Sequence, residues 1–120
     1  MSKLLAIAIP VLPGKEEDLK KFVSDINGRW REDFVSSRKK LGVRERTFFQ
    51  QSPNGQVVIV TLEGEDPAAA FKNFSEGNDE FTKWFVNHVK DVHGVDLTQP
   101  LPGPLPELKV DSEVSEFAVA

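Results

Sequence analysis

The chain has 120 residues, of which 39% are hydrophobic and 28% are charged, and its formal net charge is −4 at pH 7. This length and composition are typical of one globular domain with a packed core, and they exclude an intrinsically disordered chain. The sequence contains no cysteine, which excludes disulfides, thiolate metal sites and cysteine nucleophiles and is typical of a cytoplasmic protein.

The charge is distributed unevenly, with basic residues concentrated between Arg29 and Arg46 and an acidic balance elsewhere. The acidic total argues against a nucleic-acid partner, because affinity for a duplex requires a cationic surface. We interpret the basic segment as the solvated face of a helix, with contact to an anionic partner as the alternative. No apolar run approaches the about 20 residues of a membrane-spanning helix, so no membrane partner is expected.

The first predicted element is a strand over residues 3–9 that is apolar on both of its faces. One face carries Leu5, Ile7 and Ile9, and the other carries Leu4, Ala6 and Ala8. Prolines end this strand, and the sequence that follows lacks the small-residue cleavage site of a secretory signal. A strand of this kind needs a cover on each side.

An amphipathic helix is predicted over residues 15–41, because apolar residues recur there at three- and four-residue steps. Gly28 is the expected position of a bend, and Gly42 is the expected stop. The segments VRERTFFQQ and QVVIVTLE, joined by SPNG, then predict a β-hairpin. Its second strand is again apolar on both faces.

Asp66 followed by Pro67 predicts the start of a second helix, with an N-cap acceptor and proline at the first helical position. Residues 75–79 interrupt this helix, and either Asn78 or Asp79 is available to cap its continuation, which Gly94 ends.

The alternating prolines of residues 100–106 predict a stiff strap, because proline fixes φ and has no amide donor. We expect Leu101 and Leu105 of the strap to pack against the domain. The strap is then expected to deliver Glu107 to Asp111 as a fourth strand. Residues 1–111 would form one domain, followed by a mobile tail over residues 112–120.

The predicted order of elements is strand, helix, strand, strand, helix, strand, which is the βαββαβ arrangement of an α+β ferredoxin-like fold. Helices would cover one face of its four-stranded antiparallel sheet, and the other face would need a second subunit. This pattern resembles the dimeric α+β barrel superfamily, in which two ferredoxin-like sheets pack face to face, and which includes the antibiotic-biosynthesis monooxygenases. The segment HGVDLTQPLPGPLPE resembles the C-terminal signature of a small, uncharacterised bacterial family.

His88 is the candidate catalytic residue, because it lies in an apolar helical stripe between Phe85 and Val92, with Trp84 one turn earlier. It is a candidate general base or ligand donor. The alternative is a core or boundary histidine that is satisfied by a backbone carbonyl or by water. His93, in the last turn of the same helix, is interpreted as structural.

Further candidates are aromatic and basic. The candidate lining of a ligand pocket between helices and sheet is Trp84, Trp30, Phe34 and Phe85, with core packing as the alternative. Arg44 and Arg46 are candidate anion contacts, with an ion pair between subunits as the alternative. No metal or cofactor is expected, because His88 and His93 do not converge on one helical face, and because the first strand lacks the Asn that haem-degrading members of the superfamily use.

The sequence therefore favours a homodimer that binds a small, mostly apolar molecule, and it leaves open whether the protein is a cofactor-independent enzyme. The alternative is a non-catalytic interaction or regulatory domain whose basic segment meets an anionic partner. A bound molecule beside His88 and Trp84 would favour the first hypothesis, and a pocket filled by Trp30, Trp84 and phenylalanines would favour the second.

Overall fold

The computed structural model describes residues 3–101 and 103–113 of the chain. They form an α+β fold with a three-stranded antiparallel sheet and four α-helices. The elements in chain order are β1 (Lys3–Pro10), α1 (Glu16–Asn27), α2 (Arg31–Lys40), β2 (Val43–Ser52), β3 (Gly55–Gly64), α3 (Pro67–Lys72), a 3₁₀ turn (Asn73–Ser75) and α4 (Glu80–His93). No helix in this described part of the chain is both long and apolar enough to cross a membrane.

Strand β3 is the centre of the sheet and pairs with β1 on one side and β2 on the other, in both cases antiparallel. The predicted hairpin is confirmed, with Ser52 and Gly55 paired across its turn. At the other end of the hairpin, Gly64 pairs with Val43. A Cβ at Gly64 would overlap the carbonyl oxygen of Gly42, so this close approach of two backbone segments requires glycine.

The helix predicted over residues 15–41 is in fact two helices, because the chain turns after α1 at Gly28. The amide of Trp30 donates to the carbonyl of Asp25 at 3.0 Å, and this hydrogen bond closes the end of α1. The prediction of a bend at Gly28 is confirmed, but the bend separates two helices. Helix α2 ends at Lys40, two residues before the predicted stop at Gly42.

The predicted ends of the second helical region are confirmed. Asp66 caps α3 by accepting a hydrogen bond from a backbone amide of that helix at 3.1 Å, and Pro67 follows as its first residue. Asp79 caps α4 by accepting hydrogen bonds from both the amide and the hydroxyl of Thr82. Helix α4 ends at Gly94, which adopts a left-handed φ of 73° that favours glycine.

The helices cover one face of the sheet, and the core lies between the two layers. The sheet contributes Leu5, Ile7, Val43, Val58 and Leu62. The helices and the 3₁₀ turn contribute Leu19, Phe22, Ala70, Phe71, Phe74, Phe81, Phe85, Val89 and Val92. Aromatic rings supply much of this volume, which explains how a short chain fills the space above three strands.

The opposite face of the sheet, which we call the outer face, is uncovered by the described part of the chain. Residues directly opposite each other in antiparallel pairs share a face, so the register defines its rows. These rows are Leu4, Glu63 and Arg44; Ala6, Thr61 and Arg46; Ala8, Ile59 and Phe48; and Pro10, Val57 and Gln50. Leu4 is 46% exposed and Phe48 is 53% exposed, so apolar side chains of this face lie in water.

The strap contacts the domain as predicted, since Leu101 and Leu105 pack against the core. The predicted fourth strand is not formed, because the residues from Glu107 to Val110 lie outside the sheet and Asp111 makes only an isolated bridge. A strand needs a neighbour for its amides and carbonyls, and β1 pairs along its length with β3 alone. Of the predicted tail, residues 114–120 lie outside the described residues.

Candidate functional site

A cavity of about 490 Å³ lies between the covered face of the sheet and the helices. Its apolar lining consists of Ile9, Leu19, Phe22, Val23, Ile26, Phe34, Phe49, Val58, Val60, Phe71, Phe74, Phe85, Val89 and Leu97. Its polar lining consists of Asn27, Arg31, Glu45, Thr47 and His93. A mostly apolar wall with a few polar groups is the usual composition of a small-molecule site.

Four exposed residues mark the mouth of the cavity. Thr47 and Phe49 belong to β2, which is an edge strand, and their side chains alternate onto the covered face of the sheet. Asn27 ends α1 and Arg31 begins α2. Phe49 is 48% exposed although it lines the cavity, so its ring lies at the boundary between the interior and water. The cavity therefore opens between β2 and the junction of the two helices.

Glu45 brings a carboxylate to the cavity wall, where Arg38 neutralises it. The Arg38 Nε donates to Glu45 Oε1 at 2.6 Å, and the two side chains are only 5% and 6% exposed. Thr47 Oγ1 donates to the second carboxylate oxygen at 3.4 Å. Burial of a carboxylate is tolerated when it is paired and hydrogen-bonded, so the wall remains without net charge here.

Aromatic rings surround the guanidinium of Arg38. Its central carbon lies 3.9 Å from the ring centroid of Phe74, 4.8 Å from that of Phe85 and 4.9 Å from that of Phe34. Nη1 donates to Ser37 Oγ at 3.0 Å, whereas Nη2 is buried without a partner among residues 3–101 and 103–113. This packing holds Arg38, and therefore Glu45, in one position.

His93 is the one histidine that lines the cavity, and the sequence interpretation had assigned it a structural role only. It is 8% exposed, and its Nδ1–H donates to the Pro10 carbonyl at 2.9 Å. Burial lowers the pKa of His93, and the hydrogen bond to Pro10 partly opposes this effect. The sequence feature that could have identified His93 as a cavity residue is its spacing of four residues from Val89, which places both side chains on one helical face.

The predicted pocket residues divide between two locations. Phe34 and Phe85 line the cavity, whereas Trp30, Trp84 and His88 are not among its lining residues. Trp30 and Trp84 stack on each other with ring centroids 5.3 Å apart. Both lie under the guanidinium of Arg29, at 5.3 Å and 5.8 Å. Sequence spacing therefore identified the aromatic residues but not which of them face open space.

His88 is held by contacts with its own helix and with α1. A carbonyl oxygen only accepts, so the Nδ1–H of His88 donates to the Trp84 carbonyl, at 2.8 Å. The imidazole stacks on Phe22 at 5.5 Å with an interplanar angle of 16°, and its centroid lies 4.7 Å from that of Trp84. These contacts match the structural alternative raised from the sequence, a boundary histidine satisfied by a backbone carbonyl.

Arg44 and Arg46 lie on the outer face of the sheet and do not line the cavity. Arg46 Nη2 donates to Glu63 Oε1 at 3.3 Å, and both side chains are about two-fifths exposed, at 38% and 41%. Arg44 lies directly opposite Glu63 in the register and is exposed. The two arginines are therefore next to an acidic group of their own chain.

Comparison with known proteins found no match to a protein-family model, to a curated protein or to a solved structure. In the part of the chain that the structure describes, no three histidine or carboxylate side chains come together in a group that could hold a metal ion. The chain is thus described by its own fold, as a small α+β protein with a mostly apolar cavity between its helices and its sheet.

Proposed function

We propose that the protein is a homodimer that binds a small, mostly apolar molecule in the cavity between its helices and sheet. The observation that carries this proposal is the cavity itself. Its volume of about 490 Å³ falls within the range of about 300 to 1,000 Å³ that is typical of small-molecule sites. A well-packed core contains few voids larger than a water molecule. A cavity of this size is therefore unusual in a domain of 120 residues, and a bound ligand would fill it.

The polar groups of the cavity support binding with a preferred orientation. Arg38 and Glu45 are locked together by a short hydrogen bond within an aromatic enclosure. Rigid polar groups on an apolar wall orient a ligand, while the apolar contacts supply most of the affinity. The proposal concerns binding, and it assigns no reaction to the site.

The homodimer is proposed from the outer face of the sheet. Ala8, Ile59 and Phe48 form an apolar row across the three strands, and Leu4 adds to it at one side. A two-fold axis would bring two such faces together, as in the dimeric α+β barrel superfamily that the sequence resembles. Because Arg44 and Glu63 share this face, the same contact would supply both charges of an ion pair between subunits.

A fourth strand belongs to the same proposal. Within the described residues, the outer edge of β1 pairs with no other strand, and the segment from Glu107 to Val110 follows the strap without belonging to the sheet. Val110 is 85% exposed, which a packed strand residue would not be. We propose that this segment completes a four-stranded sheet when two copies associate.

A cavity-filling substitution tests the ligand site. Val60 lies on the covered face of β3 and lines the cavity, so Val60→Phe should occupy part of the space that a ligand needs. With N-phenyl-1-naphthylamine as a neutral fluorescent probe, we expect affinity to fall at least about tenfold in this variant, which is about 1.4 kcal/mol.

The matched control for this test is Leu4→Phe, which adds bulk on the outer face, away from the cavity, and should leave probe affinity unchanged. Circular dichroism should show that both variants are folded. Absence of probe binding to the wild-type protein, or equal binding to both variants, would contradict a ligand site under the helices.

The alternative function, contact with an anionic partner through the basic segment, is not favoured by the positions of these side chains. Arg38 is buried against Glu45, and Arg46 is paired with Glu63. Arg29 lies over the rings of Trp30 and Trp84. These three arginines of the basic segment thus lie at three separate locations.

A further inference from the structure

The position of His93 at the cavity wall determines which of its ring nitrogens is available. Because a carbonyl oxygen has no proton to give, the 2.9 Å contact with Pro10 requires a proton on Nδ1. In the neutral ring, Nε2 then carries a lone pair and acts as an acceptor. Nε2 forms no hydrogen bond within residues 3–101 and 103–113, and His93 is one of the residues that line the cavity.

The other negatively polarised groups of the wall are already engaged. One Glu45 oxygen accepts from Arg38 at 2.6 Å, and the other accepts from the Thr47 hydroxyl at 3.4 Å. The ion pair lies below aromatic rings and is nearly excluded from water. His93 Nε2 differs from these oxygens because it is a buried acceptor of the lining with no hydrogen bond in residues 3–101 and 103–113, whereas Asn27 and Arg31 are exposed at the mouth.

We propose that the cavity selects mostly apolar molecules that carry one hydroxyl or N–H donor, and that Nε2 of His93 accepts the hydrogen bond from this donor. This inference rests on the proposed function and specifies the chemistry of its ligand. A ligand without a donor would displace water from Nε2 and leave this nitrogen unpaired, which costs affinity in an apolar site.

The surroundings of His93 favour the neutral ring that this role requires. Burial lowers its pKa, so the imidazole stays uncharged at neutral pH and Nε2 keeps its lone pair. The hydrogen bond to Pro10 fixes the orientation of the ring, because it ties the end of α4 to the end of β1. A fixed acceptor loses little entropy when a ligand binds.

A pair of nearly isosteric probes tests the proposal. 2-Naphthol carries a hydroxyl donor, and 2-fluoronaphthalene has fluorine in its place, so the two differ mainly in the ability to donate. We expect the wild-type protein to bind 2-naphthol about 3- to 10-fold more tightly, as one neutral hydrogen bond predicts. In His93→Phe, which removes both ring nitrogens, this preference should disappear.

His88→Phe is the matched control, because it makes the same change at the histidine that lies outside the cavity lining, and it should keep the preference. A preference that survives in His93→Phe would overturn the proposal and show that another group of the wall accepts the hydrogen bond from the hydroxyl. Equal affinity of the wild-type protein for both probes would also overturn it. In that case the proposed ligand site would still stand, because both probes bind. If neither probe binds, the proposed function fails together with this inference.

A nuclear magnetic resonance measurement on the wild-type protein covers the case in which His93→Phe does not fold. The ¹⁵N resonance of His93 Nε2 should show an unprotonated acceptor nitrogen, and it should shift when 2-naphthol is added but not with 2-fluoronaphthalene. A protonated Nε2 in the free protein, or an unchanged resonance with both probes bound, would overturn the proposal.

Discussion

At the scale of single residues, Arg38 and Glu45 form the shortest and least exposed ion pair among the described residues, at 2.6 Å. Glu45→Ala should lower the free energy of unfolding by about 3–5 kcal/mol, because it leaves the Arg38 guanidinium buried without its carboxylate. Urea unfolding measures this loss.

The half-exposed pair of Arg46 and Glu63 offers the control for this prediction, since Glu63→Ala should cost less than about 1 kcal/mol. Replacing both Arg38 and Glu45 by leucine should recover much of the loss, because no uncompensated charge then remains. Equal costs for the two single alanine variants would show that burial does not strengthen the Arg38 and Glu45 contact.

His93 gives the stability of the protein a defined dependence on pH. Its pKa in the folded chain lies below the value of about 6.5 that it has when unfolded, so the unfolded chain binds a proton at higher pH. The contribution of neutral His93 is therefore complete above about pH 6.5 and is lost as the pH falls through the folded pKa.

Unfolding free energies measured from about pH 7.5 to about pH 5 should thus fall more steeply for the wild type than for His93→Phe, which has no proton to bind at this position. Parallel profiles for the wild type and His93→Phe would contradict a lowered pKa at His93.

At the scale of elements, the junction between α2 and the hairpin depends on one glycine. Gly64→Ala should destabilise the fold by about 1–3 kcal/mol, because the new Cβ would overlap the Gly42 carbonyl oxygen and approach Val43 Cγ1 to 3.0 Å. Gly103→Ala is the control, since a Cβ there meets nothing within 4 Å. Thermal unfolding compares the two, and an equal change in both midpoints would show that the backbone at Gly64 yields without cost.

At the scale of the whole molecule, the proposed homodimer depends on the outer face of the sheet. Phe48 and Phe49 are neighbours on β2 with similar exposure, 53% and 48%, but they lie on opposite faces. Phe48→Glu should convert a dimer to a monomer, because two copies of the charge would meet in an apolar contact. Phe49→Glu should keep the dimer and weaken probe binding at the mouth of the cavity.

Light scattering coupled to size-exclusion chromatography reports the mass of each variant. A wild-type mass equal to that of one chain at micromolar concentration would contradict the proposed homodimer. It would leave the cavity intact, since the described residues of a single chain line it.

The sequence by itself determined the features that have local causes. The cap at Asp66, the stop at Gly94 and the hairpin turn each depend on a few adjacent residues, and all three are where the sequence predicts them. For the cap of α4 the sequence left Asn78 and Asp79 as alternatives, and Asp79 is the cap. The break at Gly28 was foreseen as a bend, although the hydrogen bond that separates two helices involves residues on both sides of the glycine.

The tertiary structure alone decided which side chains face open space and which strands find a neighbour. His88 and His93 belong to the same helix, and only the packing of α4 against β1 and α1 places His93 at the cavity and stacks His88 on Phe22. The predicted strand at Glu107 to Asp111 has suitable residues, but a strand forms only where another backbone supplies its hydrogen bonds. Both outcomes depend on contacts between residues far apart in the chain, which periodicity along one element does not encode.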